Sequence, residues 1–117
     1  MEALDDIRMT IAARVDGAEV IVEGTIDPSR LPMAPVDGIR SDEVDLAIFV
    51  GSRANDIVGE TWQKISIALG DQSYRRAVDG GIPFTVRVPV KATPRHVKAI
   101  VYAYAADLIG TATARIR

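Results

Sequence analysis

His96 is the one imidazole in this chain, placed between Arg95 and Val97 where a run of alternating residues begins. Acyl-transfer chemistry of the serine type needs a hydroxyl, a base and a group that orients the base. Five serines could supply the hydroxyl: Ser29, Ser41, Ser52, Ser66 and Ser73. None stands in a G-x-S-x-G elbow, the sharp turn that lifts a nucleophile above a sheet. A triad would have to arise from tertiary contacts alone, and His96 reads as an exposed turn residue. The sequence therefore predicts no enzyme and no catalytic residue.

Two acidic clusters could bind a cation. "RSDEVD" offers Asp42, Glu43 and Asp45, and "RANDIVGE" offers Asn55, Asp56 and Glu60. Calcium requires several oxygens converging on one point. Neither cluster has the spacing of a calcium loop, Asp45 alternates to the face opposite Val44, and Asp and Asn are also ordinary turn formers. Calcium is thus the one cofactor the residues suggest, and only through those loops. The absence of cysteine rules out zinc–thiolate sites, redox motifs and disulfides. No glycine-rich phosphate loop occurs.

Trp62 has two readings. It could be a platform for a sugar ring, or it could close the core of a β domain, and the second is the more usual fate of a lone Trp in a sandwich. Arg75, Arg76, Arg87, Lys91, Arg95 and Lys98 suggest a basic surface, with Arg87 and Lys98 read as cross-strand neighbours. An aromatic content of 5% and the lack of a reading helix argue against nucleic acid as the partner.

The elements that must position these residues are strands. Ile7, Met9, Ile11, Ala13 and Val15 alternate with polar or small residues, and "DGA" from Asp16 supplies a tight turn. Val20, Val22 and Ile26 form the second strand, with Gly24 as a bulge. Residues 27–43 hold three prolines and read as a long loop. "VDLAIFV" is the third strand, apolar on both faces and so expected to be covered on both. The fourth runs from Ile57 to Leu69, with Ile65, Ile67 and Leu69 on one face and Trp62, Lys64 and Ser66 on the other. It is expected to kink at Gly59.

A short helical crossover follows near 71–79, capped by Asp71 and ended by Gly80 and Gly81. Ile82, Phe84, Val86, Val88 and Val90 define the fifth strand. Pro83 and Pro89 on its other face mark a sheet edge and read as guards against strand addition. Val97–Tyr104 and Thr111–Arg117 complete a meander. About seven antiparallel strands point to an all-β, two-sheet immunoglobulin-like sandwich, with a small closed barrel as the alternative.

At 117 residues this is the length of one domain, long enough for its own core. The core is expected from Ile11, Val20, Val22, Leu46, Ile48, Ile65, Ile67, Phe84, Val86, Val88 and Val101. Tyr102 and Tyr104 would flank it, with a hydroxyl bonded to loop backbone. Residues 1–60 carry a net −8 and residues 61–117 a net +6. Either one basic face awaits an acidic partner, or strands from the two halves interleave with opposite charges facing. No apolar run approaches the ~20 residues of a membrane span, and "MEALDDIR" lacks the basic start of a signal peptide.

"VDLAIFV", "GETWQKISIALGDQSYRRAVDGGIPFTVRVPV" and "VKAIVYAYAADLIGTATARI" together resemble the C-terminal β domain of bacterial von Willebrand factor A-related proteins of the acidobacterial type. The match spans about 60% of the chain, from Val44 to Arg117. Tyr74, Ala77 and Gly81 fit that family's crossover, Thr85 and Arg87 its next strand, and Tyr102, Gly110 and Ala112 its final hairpin. The family's Asp-x-Ser-x-Ser metal motif belongs to another domain and is absent here, as is its usual valine–proline–aspartate ending. The resemblance implies a non-enzymatic module cut from a larger exported or cell-surface protein. Its partner would be another protein or other domains of the same chain. A calcium-dependent or carbohydrate-binding adhesion module is the alternative. The residues expected to contact a ligand or partner are Trp62, Arg87, Lys98, Asp42, Glu43 and Asp45.

Overall fold

The computed structural model describes residues 6–54 and 56–117. Eight strands and one helix follow in order: β1 Met9–Asp16, β2 Glu19–Ile26, β3 Pro35–Val36, β4 Ile39–Gly51, β5 Ile57–Gly70, α1 Asp71–Gly80, β6 Ile82–Pro89, β7 His96–Ala103 and β8 Leu108–Arg115. Sheet A is β1-β2-β6. In sheet B, β4 pairs with β5 on one side and with β7 on the other, β7 pairs with β8, and the two-residue β3 adds to the start of β4. All ladders between named strands are antiparallel. Lettering the seven long strands A to G gives sheets A-B-E and D-C-F-G. This is an immunoglobulin-like sandwich whose fourth strand lies beside the third. Among the described residues no helix is long and apolar enough to cross a membrane.

Period-two alternation builds the core. Val20 and Val22 of β2 and Val86 and Val88 of β6 face Val44, Leu46, Ile48 and Val50 of β4 and Val97, Ala99 and Val101 of β7, all buried. Val20, Val22, Leu46, Ile48, Ile67, Val86, Val88 and Val101 are therefore core as the sequence predicts, whereas Ile11, Ile65 and Phe84 pack against it only half-buried. Phe84 needs Gly24 opposite it: a Cβ there would lie 2.8 Å from the ring and would overlap the Thr10 carbonyl. Gly24 is thus a clearance position in an unbroken ladder and not the bulge the pattern suggested.

Other expectations are corrected. Residues 27–43 are not one loop, because Pro35–Val36 and Ile39–Gly51 form a hairpin across Asp37 and Gly38, both at positive φ. Pro28, Leu31 and Met33 on its approach plug the core. The irregularity expected at Gly59 is present: the β5 register shifts opposite Val50 and Gly51, beside Gly59, where a Cβ would come within 2.6 Å of the Pro89 carbonyl. Helix α1 is entered from Gly70 with no side-chain cap; Asp71 instead holds Arg40 at 3.3 Å from the first turn. Gly81 at φ 87 ends it, as predicted, donating to Ala77.

The charge halves interleave. Arg87 reaches Asp16 and Glu19, Arg40 reaches Asp71, and Lys64 reaches Glu43, each pair joining one half of the chain to the other. The two sheets also meet along one side, where β1 and β8 are tied at both ends. Ile7 N–H donates to the Ile109 carbonyl, and Arg117 N–H to that of Ala13. Between these ties the edges part around a groove of about 860 Å³. The barrel alternative is thus realised on one side only.

Candidate interaction face on the four-stranded sheet

The outward positions of β4 are Glu43, Asp45, Ala47 and Phe49. Register fixes what stands beside them. One row across the outer face of sheet B reads Lys64–Asp45–Tyr102–Ile109, the next Trp62–Ala47–Ile100–Thr111, and the third Glu60–Phe49–Lys98–Thr113. Trp62 is 72% exposed, while Phe49, Ile100, Tyr102 and Ile109 are half-buried around the small Ala47. The result is an aromatic and aliphatic surface with Lys64 and Asp45 in the row on one side of Trp62 and Glu60 and Lys98 in the row on the other. Aromatic residues at an exposed apolar centre within a polar rim are a composition typical of contact surfaces.

Hydroxyls fix the end of this face. Tyr104 Oη donates to Glu43 Oε2 at 2.6 Å and Tyr102 Oη to Asp107 Oδ1 at 2.8 Å. The acceptors are carboxylates, so the predicted backbone bond from a tyrosine corner is corrected. Lys64 Nζ lies 5.5 Å over the Tyr104 ring. The bond to Glu43, partial desolvation and the charges of Glu43, Asp45 and Asp42 raise the Tyr104 pKa. The bond to Asp107, partial desolvation and the charge of Asp107 raise that of Tyr102. A phenol whose folded pKa is raised contributes stability that is fully present below its unfolded value near ~10 and is lost as pH climbs through the folded one. The phenolate absorbance titration of the folded protein is therefore expected to include a late component above that value. Tyr102→Phe and Tyr104→Phe should each remove part of it. A native titration with no late component would refute the two hydrogen bonds.

The predicted contact residues divide between the sheets. Trp62 is not core: β5 turns it outward, opposite Ala47. Lys98, Glu43 and Asp45 lie on the same face as Trp62. Asp42 alternates to the inner side, where Oδ1 accepts the Glu43 N–H at 2.8 Å and Oδ2 is buried with no partner among the described residues. Arg87 belongs to sheet A, 3.0 Å from Asp16 and 3.2 Å from Glu19, which together raise its pKa. Arg87 and Lys98 are on different sheets, so the cross-strand patch they were expected to form does not exist.

Asn55 lies outside the described residues, as do Met1 to Asp5 of the "MEALDDIR" stretch. Among the described residues no three His, Cys, Asp or Glu side chains gather as metal ligands. His96 is half-buried at the first position of β7, against Gly51, and is not an exposed turn residue. It opens onto a cleft of about 570 Å³ that also contains Arg53, Arg95, Arg115 and Arg117, and among the described residues no carboxylate side chain lines it. Phe49, Ile100, Tyr102 and Ile109 were missed as surface residues. For Phe49, Ile100 and Tyr102 the signal is in the sequence, since Val44–Val50 and Val97–Tyr104 are apolar on both faces, a pattern that reads equally as two-sided burial; Ile109 falls before the expected last strand Thr111–Arg117, whereas β8 starts at Leu108.

No family model matches the sequence, and no curated protein matches it. Two solved structures superpose on most of the chain. The crystal structure of hypothetical protein PH1083 from Pyrococcus horikoshii OT3 gives a TM-score of 0.43 at 10% identity, covering 93% of this chain and 85% of that one. The solution structure of R. palustris CsgH gives 0.39 at 14% identity, covering 93% and 89%. At these values neither bears on what this chain does.

Proposed function

We propose that this chain is a non-catalytic protein-interaction module whose working surface is the outer face of sheet B. The observation that carries this reading is Trp62, the largest side chain in the protein, left 72% exposed at the edge of an apolar patch built from three further strands. A fold gains nothing from leaving so large an apolar side chain in water, whereas a partner covering it would gain. The resemblance of Val44–Arg117 to the β domain of von Willebrand factor A-related proteins supplies the setting. In that setting the module belongs to an exported or surface bacterial protein, and its partner is another domain of the same chain or a separate protein.

Trp62 is the only tryptophan, so its emission reports on this face directly. Binding of the partner is expected to shift that emission to the blue. Trp62→Ser and Ile100→Glu should abolish binding, while Arg14→Glu on the outer face of sheet A should leave it intact. Binding that survives both face variants and falls with Arg14→Glu would move the working surface to sheet A and end the reading.

The exposed indole also favours a second reading, in which Trp62 stacks on a sugar ring beside Glu60, Lys64 and Lys98. A glycan array probed with native protein and with Trp62→Ala separates the two, since only the sugar reading gives spots that vanish with the indole.

A further inference from the structure

The ladders determine which backbone groups each sheet edge leaves unpaired. Arg95 N–H donates to the Gly51 carbonyl, so the odd residues of β4 turn toward β7 and the even ones toward β5. In the β4–β5 register even residues of β4 meet odd residues of β5 from Gly59 onward. Glu60, Trp62, Lys64, Ser66 and Ala68 therefore aim their N–H and C=O groups at open solvent. The other edges are treated differently. β1 and β8 face each other across a groove and are tied to each other at both of its ends. On β6, Val90 donates to Ala18, so Pro83 and Pro89 occupy outward-aimed positions and remove two of that edge's donors. Among the described residues, the backbone bond that ties this edge of β5 to the chain just past β6 is at the start of β5, from the Lys91 N–H to the Val58 carbonyl. Beyond that point it has no proline, leaving five consecutive outward donors and acceptors.

The side chains along this edge are self-complementary. In an antiparallel copy of β5 centred on Trp62, Glu60 stands opposite Lys64 of the copy and Lys64 opposite its Glu60. Thr61 meets Gln63, Gly59 meets Ile65, and Trp62 meets Trp62. Opposite charges directly across an antiparallel pair stabilise it, and like charges oppose it. Shifting the centre to Lys64 would put two lysines face to face. Glu60 makes no ion pair among the described residues, and Lys64 is 3.9 Å from Glu43, within easy reach of a better partner. Residues 60, 62 and 64 all carry outward backbone groups, so this register gives hydrogen-bonded pairs at all three positions.

We propose that a second copy of this chain docks on the β5 edge, antiparallel and centred on Trp62, joining two B sheets into one continuous sheet across a two-fold axis. This assembly is separate from the heterologous contact proposed above. It would place two copies of the aromatic face side by side.

The test is sedimentation velocity over a concentration series, with four proteins. Native chain is expected to dimerise. Glu60→Lys and Lys64→Glu should each turn two attractive contacts into repulsive ones and weaken the dimer about thirtyfold. Mixed in equal amounts, the two variants should form a heterodimer. The lysine introduced at position 60 of one chain then meets the glutamate introduced at position 64 of the other, and the remaining contact is the native pairing of Lys64 with Glu60. Trp62→Pro removes an outward N–H and no internal ladder bond, so it should leave a folded monomer. A native chain that stays monomeric throughout overturns the proposal. So does a dimer indifferent to both charge variants, or a mixture that fails to recover association.

Discussion

Val86→Asp is expected to leave no folded protein at room temperature. Val86 is 4% exposed on β6, paired with Val22 at 0% exposure and facing the buried β4–β7 layer. The substituted carboxylate would have no cation and no donor within that layer. Whether it stays ionised or takes up a proton, the cost is several kcal/mol, about the whole stability of a domain this size. Thr85→Asp, one residue away on the exposed face, should cost about 1 kcal/mol or less. Far-ultraviolet circular dichroism during urea titration reads both. Since a one-residue slip exchanges the two faces of a strand, native-like behaviour of Val86→Asp together with loss of Thr85→Asp would mean that β6 is out of register.

What the sequence makes legible follows from how local each signal is. Local signals need only neighbours along the chain, so the existence of β6 and β7, the inward face of β6 and a helical crossover near 71–79 could be read directly. Gly81 could be read as the helix end because only a left-handed position there lets the chain turn into β6. Trp62 could not be placed correctly. Its parity along β5 set it opposite Ile65 and Ile67, yet the lone-Trp prior outweighed that parity. The better guide was the alternation itself, since the same face carries Lys64 and Ser66. Arg87 and Lys98 show the opposite limit. Both belong to the surface, as the sequence suggests, but which sheet a strand joins depends on pairing between distant segments, and no pattern within β6 or β7 reports it. The two-sided apolar character of β4 and β7 was visible as well. A central strand covered by a second layer and a central strand with a half-exposed apolar outer face have the same sequence signature.

Gly110→Ala tests a contact that no sequence pattern announces, the seam between the two sheets. Gly110 is buried on β8, and a Cβ there would overlap the Ile7 carbonyl oxygen and sit 3.0 Å from the Ile7 carbonyl carbon and 3.1 Å from its Cβ. These are backbone or backbone-adjacent atoms, so no rotamer change relieves the clash. The β1 side must retreat. Retreat breaks the Ile7 N–H to Ile109 carbonyl bond at 3.2 Å and the Ile109 N–H to Asp6 Oδ2 bond at 3.1 Å. It also uncovers Ile7, which is 1% exposed and among the most buried side chains of the core. Overpacking and partial loss of one buried isoleucine together come to about 3 kcal/mol, or a fall in melting temperature of roughly 12 °C. Gly80→Ala is the matched control, because a Cβ at that helix end meets nothing within 4 Å. Hydrogen exchange locates the effect. In Gly110→Ala the Ile7 and Ile109 amides should lose protection before those of β4 and β7. Unchanged melting with unchanged protection at Ile7 would mean that β1 and β8 do not close on one another, and the sandwich would be open along both sides.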